Sequence, residues 1–353
     1  MLQDHSLKSL KNFNPNKVPI SLYIHLPWCE KRCPYCDFNI NTNKLDGDEE
    51  RLLVALNQDL KDSMQYIQKR KFCSVYFGGG TPSLVSSKII KKIINNLKDR
   101  DLLKEECEIS FELNPKEVTH SYMNEIIDAG VNRVSIGTQS FDQRVLDSLE
   151  RNHSANESHQ AIKIASEFKN VNISIDLIYG IMNQSIDSLK QDVEIFCKNK
   201  IDHLSLYQLT IEPNTIFYKK ELNIPSDKTI ESMELAAKDI LNRNNIFQYE
   251  VSSWAKDSKV SKHNMNYWLY GDYLGIGPGA HSKITAENSI TRMIKLKKVE
   301  SYINNPSKIT KVKVDDSSYD LDLAMNLLRI KNGTSFEDLE KRGIYISDTF
   351  KEK

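Results

Sequence analysis

Three cysteines, Cys29, Cys33 and Cys36, fall within eight residues of one another in a C-x3-C-x2-C spacing. Thiolates this close together can converge on one small object. A structural zinc ion or an ordinary iron–sulfur cubane takes four protein ligands. Here there are three, and no fourth cysteine is nearby. The spacing therefore points to a [4Fe–4S] cluster with one iron left open to an exogenous ligand. Two other readings of the residues stand beside it: three unrelated packed thiols, or a zinc knuckle that borrows a histidine.

Further along lie other groups with chemistry to offer. Gly78-Gly79-Gly80-Thr81-Pro82 lets backbone approach a ligand closely and lacks the Lys-Ser/Thr of a phosphate loop; a plain turn is the alternative. Glu112 stands inside an apolar strand-like run and needs a partner, either a ligand or a barrel Arg or Lys. Gln139, Arg151 and Asp176 follow in the same relation to later strands, and Asp176 interrupts Ile175-Asp-Leu-Ile178. Tyr23 and Tyr35 flank the cysteines and could equally be core aromatics. Thr210 closes another apolar run. His263-Asn-Met-Asn-Tyr-Trp268 offers an imidazole for iron and two aromatics for a porphyrin face, or else a capped loop that packs Tyr267 and Trp268.

The elements that must position these groups alternate regularly. Leu22, Ile24 and Leu26 mark a strand before the cysteines. Leu52, Leu53, Leu56, Leu60, Met64 and Ile67 recur at helical spacing over 49–69. Strand-like runs at 72–77, 108–113, 133–137, 171–179 and 203–209 each precede a helical pattern. Six such alternations mean a parallel β/α architecture, either an open doubly wound sheet or a partial barrel. The candidate residues gather at the strands' C-terminal ends, where either fold binds ligands. Beyond about residue 245 the pattern changes, with a strand-like run at 248–254, an aromatic and glycine-rich stretch at 261–281 and a helix at 321–328.

Composition sets bounds. The 353 residues carry 48 Lys plus Arg and 48 Asp plus Glu, so nothing asks for nucleic acid. With 39% apolar and 27% charged residues the chain reads as globular. Residues 1–18 hold no apolar signal core, and no run is long enough for a membrane helix, so membrane insertion is not expected. Cys73, Cys107 and Cys197 stand apart from the cluster and read as small packed hydrophobes. A cluster to protect fits a reducing cytoplasm.

The ordered set of cysteine loop, GGGTP (78–82), ExNP (112–115), GxQSF (137–141), DLIYG (176–180) and HNxxYW (263–268) resembles the radical S-adenosylmethionine (SAM) superfamily. Within it, the match is to the HemW-type group of the coproporphyrinogen dehydrogenase-like family, over roughly residues 18–340. The resemblance implies a partial (β/α)6 TIM-like barrel over 18–245, behind a polar tail at 1–17. A barrel-covering segment with HNxxYW at 246–309 and a shortened C-terminal α+β region at 310–353 complete the chain. It implies that Cys29, Cys33 and Cys36 ligate the [4Fe–4S] cluster. SAM would meet Tyr23, Tyr35, Gly79, Gly80, Thr81, Glu112 and Thr210; Gln139, Arg151 and Asp176 match residues that take a second SAM in the dehydrogenases. His263 would face heme. The function implied is a heme chaperone that hands heme to an acceptor protein, with a second copy of the chain as a candidate partner. The alternative is an oxygen-independent coproporphyrinogen III dehydrogenase, a radical SAM decarboxylase. Two features favour the chaperone: Phe38 stands where the dehydrogenases carry a fourth cysteine, and only 28 residues, mostly polar, precede Cys29. The sequence departs from the family pattern at Ile181-Met-Asn-Gln184, where a Pro-Gly turn is usual, and at Leu149-Glu-Arg151, where a Gly usually precedes the Arg.

Overall fold

The computed structural model describes residues 13–256 and 258–351; most of the stretch read as a polar tail lies outside them. Six strand–helix units come first. They are β1 (Ile20–Leu26), α1 (Asp48–Ile67), β2 (Phe72–Gly79), α2 (Ser87–Asp99), β3 (Leu103–Leu113) and α3 (His120–Ala129). Then come β4 (Arg133–Gln139), α4 (Gln143–Ser148), α5 (Ala155–Ser166), β5 (Asn172–Tyr179), α6 (Ile186–Lys198), β6 (His203–Gln208) and α7 (Asp227–Arg243). A different pattern follows, with β7 (Phe247–Glu250), β8 (Ser253–Ala255), α8 (Lys262–Trp268), β9 (Asp272–Ile276), β10 (His281–Ala286) and β11 (Ser289–Lys295). The chain continues through α9 (Val299–Asn304), β12 (Ile309–Lys313), α10 (Asp316–Leu327) and α11 (Phe336–Lys341).

The strands form one sheet in the order β12-β11-β10-β9-β1-β2-β3-β4-β5-β6-β8-β7. From β9 to β6 the pairs are parallel. The antiparallel strand β8 then takes the free edge of β6, and the barrel stays open. The sequence shows six of the parallel strands but not β9. Asp272-Tyr-Leu-Gly-Ile276 is short and has a glycine inside it, and its partner β1 is some 250 residues away in the chain. Such a segment carries little local strand signal.

Each parallel strand has two faces of opposite character. The outward face is apolar: Leu22, Ile24, Val75, Phe77, Ile109, Phe111, Val134, Ile136, Ile175, Leu177, Leu204 and Leu206 form one core with the inner stripes of the helices. Helix α1 shows why its sequence docks there. Asp48, Glu49 and Glu50 in its first turn suit the positive end of the helix dipole, and Leu52, Leu56, Leu60 and Ile67 are buried along one side. The inward face is polar, with Tyr76, Glu112, Ser135, Asp176, Ser205 and Tyr207 among its residues. A closed barrel fills its centre with branched apolar side chains; this open one does not.

A second cluster closes the far side. Phe13, Val18, Tyr270, Tyr319, Leu323, Leu339 and Ile344 are packed together, so residues 13–18 belong structurally with the C-terminal helices. The Phe13 ring meets Tyr319 edge-on at 5.5 Å. Asp272 joins the two parts of the molecule. Its buried carboxylate accepts from Arg70 Nη1 at 2.8 Å, Lys283 Nζ at 3.2 Å and Thr285 Oγ1 at 2.7 Å. Arg70 also donates to the carbonyl of Val18, which ties the end of α1 to the start of β1 and to β9.

Asp272→Ala should cost about 3–5 kcal/mol, because two buried cations lose their anion. Removing Asp187, whose pair with Lys190 is exposed, should cost less than about 0.5 kcal/mol. Urea unfolding of the two variants checks the contrast.

Candidate functional site

The cysteine loop leaves the end of β1 and is clipped in place by backbone. Asn41 N–H donates to Pro27 O (2.8 Å) and Cys29 N–H to Asn41 O (3.0 Å), which closes the loop on itself. Gly80 N–H donates to Leu26 O (2.8 Å) and Thr81 N–H to Trp28 O (2.7 Å), which fastens it to the glycine run after β2. The glycines are there for close approach. A Cβ on Gly80 would lie 2.5 Å from Trp28 O, and one on Gly79, whose φ is +120°, would lie 2.7 Å from the His25 ring.

Side chains complete the clip. The Arg32 guanidinium gathers the carbonyls of Cys36, Phe38 and Ile40 at 3.2, 3.2 and 3.4 Å and so shapes the turn that holds Cys33 and Cys36. His25 Nε2 donates to Asn39 O (2.7 Å), which leaves Nδ1 to accept from the Tyr23 hydroxyl (3.0 Å). Asn39 in turn donates to the carbonyls of Pro278 and Lys297. The glycine-rich loop after β9 is thus a rear brace for the cysteine loop.

The three cysteines are free thiols at the mouth of a cavity of about 400 Å³ that descends between the strands. Its lining brings together Cys29, Cys33, Tyr35, Cys36, Gly80, Thr81, Glu112, Gln139, Arg151, Asp176 and Thr210. Tyr23, Gly79 and His263 are not on the lining. Tyr23 lies behind it, between His25 and Tyr76, and Gly79 sits under the His25 ring.

His263 belongs to the other end of the barrel. Helix α8 plugs the floor, held by Ser261 at its N-cap and by Glu108, which accepts from the backbone of Lys262 and His263. His263 Nδ1 is 3.0 Å from Ser74 Oγ, and its ring packs on Tyr76. Ser74 precedes Gly79 by five residues, roughly 16 Å along an extended strand. Burial lowers the imidazole's pKa to about 3, so it is neutral. The alternative reading, a capped loop that packs Tyr267 and Trp268, is met in part: the segment is capped by Ser261 but helical, Arg329 stacks over the Trp268 ring at 4.2 Å, and Tyr267 stays partly exposed.

The charged groups of the cavity are distinctive. Tyr76 O–H donates to Glu112 Oε1 at 2.8 Å, and no Lys or Arg pairs with Glu112 among the described residues. Burial pushes Glu112 from its ordinary value of 4.5 up to about 7, and the nearby Asp176 adds to the shift. Asp176 accepts from Ser135 Oγ at 3.0 Å and is itself pushed up to about 6, again by burial. Arg151 donates to Tyr35 Oη (3.1 Å), Gly137 O (3.1 Å) and Cys33 Sγ (3.5 Å), with no carboxylate in ion-pair contact among the described residues.

Tyr76, Arg133, Ser135, His203, Ser205 and Tyr207, which belong to none of the motifs, also line the cavity. Their signal was a period of two. Arg133-x-Ser135-x-Gly137-x-Gln139 and His203-x-Ser205-x-Tyr207 alternate polar with apolar residues, which in a buried parallel sheet marks an inner wall that faces something wet.

The donor set fits a cluster and a zwitterionic ligand. Burial raises Cys29 and pushes Cys36 up to about 11, so these thiols are no activated nucleophiles and would ionise as metal binds. No three His, Cys, Asp or Glu among the described residues gather tightly enough for a single ion. A cubane offers a separate iron to each of the three thiolates. Glu112 and Arg151, neither in an ion pair among the described residues, suit a ligand that carries both an ammonium and a carboxylate.

Residues 23–196 match the Radical SAM superfamily. The chain is 37% identical to the heme chaperone HemW of Buchnera aphidicola (Schizaphis graminum symbiont), over 95% of this chain and 89% of that protein. It is 35% identical to the heme chaperone HemW of Escherichia coli K12, over 88% of this chain and 83% of the other. Its fold is similar to that of Escherichia coli coproporphyrinogen III oxidase, with a TM-score of 0.76, 21% identity, and coverage of 92% and 79% of the two chains.

Glu112 and Asp176 ionise later in the folded chain than in the unfolded one. The stability this lends is fully present below about pH 4 and is lost as pH rises through about 6 to 7. The metal-free protein should therefore melt at a lower temperature at about pH 8 than at about pH 5 as far as these groups decide it. Glu112→Gln should recover of order 1–2 kcal/mol at the higher pH. Calorimetry of both proteins across that range tests the sign.

Proposed function

The chain belongs to the HemW family of radical SAM proteins, and from that membership we propose that it is a heme chaperone, holding a [4Fe–4S] cluster and SAM at the barrel mouth and passing heme to an acceptor protein. The family match over most of the chain carries this reading. The cavity supports it with three thiols around one opening and a glycine-lined wall beside them.

The bound cluster supplies an iron with an open position for SAM and the capacity to take up an electron. The rest is the work of this chain's side chains. Cys29, Cys33 and Cys36 hold iron. Thr81 donates to Cys29 Sγ at 3.3 Å. Glu112, steadied by Tyr76, receives an ammonium; Arg151 receives a carboxylate; Gly80 keeps the strand end open to the ligand. Tyr35, on the wall beside Arg151 and Phe217, offers a ring to the adenine. Gln139 and Asp176 line the same cavity on β4 and β5, beside Glu112 and Arg151, and leave room for a second polar ligand. Thr210 contributes backbone at the end of β6. Phe38 is 60% exposed on the rim, where a decarboxylase of this family would carry a further thiol.

Purified anaerobically and reconstituted with iron and sulfide, the protein should shift the absorption of added heme and leave coproporphyrinogen unchanged in the presence of SAM and dithionite. Production of protoporphyrinogen would overturn the chaperone reading in favour of the decarboxylase. Cys33→Ala should lose the cluster's absorbance and most of its iron, and retention of both would remove Cys33 from the ligands. Because His263 is already bound to Ser74 on the barrel floor, His263→Ala should leave the heme spectrum as it is. A changed spectrum in that variant would return His263 to the iron.

A further inference from the structure

Each cysteine of the loop has its own hydrogen-bond donor, and the three donors differ. Cys29 Sγ receives the Thr81 hydroxyl at 3.3 Å. Cys36 receives the Phe38 backbone. Cys33 Sγ receives the Arg151 guanidinium at 3.5 Å, and this donor alone is charged. Arg151 is fixed in place. Its Nη1 is shared with Tyr35 Oη, its Nη2 is bound to Gly137 O, and its Nε is buried without a partner among the described residues. The two nearest elements, the end of β4 and the cysteine loop, present carbonyls and a hydroxyl to it but no carboxylate in ion-pair contact among the described residues.

A buried cation without a carboxylate is costly unless some other anion lies beside it. On this side of the cavity the group at hydrogen-bond distance is Cys33 Sγ, which becomes that anion when it ligates the cluster. We propose that Arg151 is the charge partner of the cluster and sets its reduction potential, with Thr81 as a weaker, neutral contributor. The inference rests on the cluster reading above.

Reduction by dithionite transfers one electron to the thiolate-held cluster and so adds one unit of negative charge. No bond forms or breaks in the protein. A fixed positive charge at hydrogen-bond distance from a ligand sulfur favours the reduced form, and in a partly enclosed site the attraction is screened less than in water. A hydroxyl at Cys29 acts in the same sense through its dipole alone. Arg151 thereby acts through Cys33 as a positioning and tuning residue, in addition to any contact it makes with a ligand carboxylate.

The test is an EPR-monitored dithionite titration of the reconstituted full chain, with mediators and without SAM. Arg151→Gln keeps hydrogen-bonding capacity and loses the charge; its midpoint should be clearly more negative than wild type. Arg151→Lys should stay closer to wild type. Thr81→Val should shift in the same direction by less than Arg151→Gln. A midpoint in Arg151→Gln equal to wild type at equal iron content overturns the proposal, even where SAM binds more weakly. So does a Thr81→Val shift that equals or exceeds it. Should Arg151→Gln not hold its iron, a midpoint for Arg151→Lys more negative than that of Thr81→Val is the overturning result. A wild-type protein that assembles no cluster would instead defeat the underlying cluster reading.

Discussion

The structure depends on the close approach of two backbones, the cysteine loop and the glycine run after β2. Gly80 and Thr81 donate to the carbonyls of Leu26 and Trp28, and no side chain larger than hydrogen fits at Gly80. This contact fixes where Cys29 stands relative to the cavity wall. Arg32 then sets Cys33 and Cys36 by collecting the carbonyls around them, and Asn39 locks the far end of the loop to the turn after β9. Local interactions thus place the thiols before any iron arrives, which lowers the ordering cost of binding.

The second constraint is the division of each parallel strand into an apolar outer face and a polar inner one. The outer face supplies the core that makes the half-barrel stable without a packed centre. The inner face holds carboxylates, hydroxyls and Arg133 around a cavity that Arg32 and Arg151 also line and that water or a ligand must fill. Strand β8 is part of the same arrangement, since by pairing antiparallel with β6 it ends the parallel run and leaves the barrel open. Glu112 and Arg151, each without an ionic partner among the described residues, are the groups that gain most when a zwitterion binds.

Much of this could be read from the chain. The cysteine spacing, GGGTP, Glu112, Gln139 and Asp176 toward their strand ends and Arg151 in the loop beyond β4 converge in space because β/α units bring every strand end to the same face. Other parts were hidden for physical reasons. The inner-wall residues Ser135, Ser205 and Tyr207 alternate with apolar neighbours, but alternation is easily taken as noise where parallel strands are expected to be apolar throughout. Strand β9 has too few residues and too distant a partner to signal itself. The HNxxYW motif offers iron-binding chemistry in sequence, yet its position follows from where Ser261 and Glu108 anchor α8, a long-range relation that spacing does not encode. Nothing in the sequence sets Arg32 apart from any loop arginine, because the three carbonyls it gathers converge only in the folded loop.

The central claim is that three thiols hold a cluster whose remaining iron is open to SAM. The most direct measurement is the EPR spectrum of the dithionite-reduced, reconstituted protein before and after SAM is added, followed by electron–nuclear double resonance with SAM isotopically labelled at its amino and carboxylate groups. The account predicts a change in the g values and hyperfine coupling to the labelled atoms. A spectrum that SAM leaves unaltered, with no coupling, would contradict it.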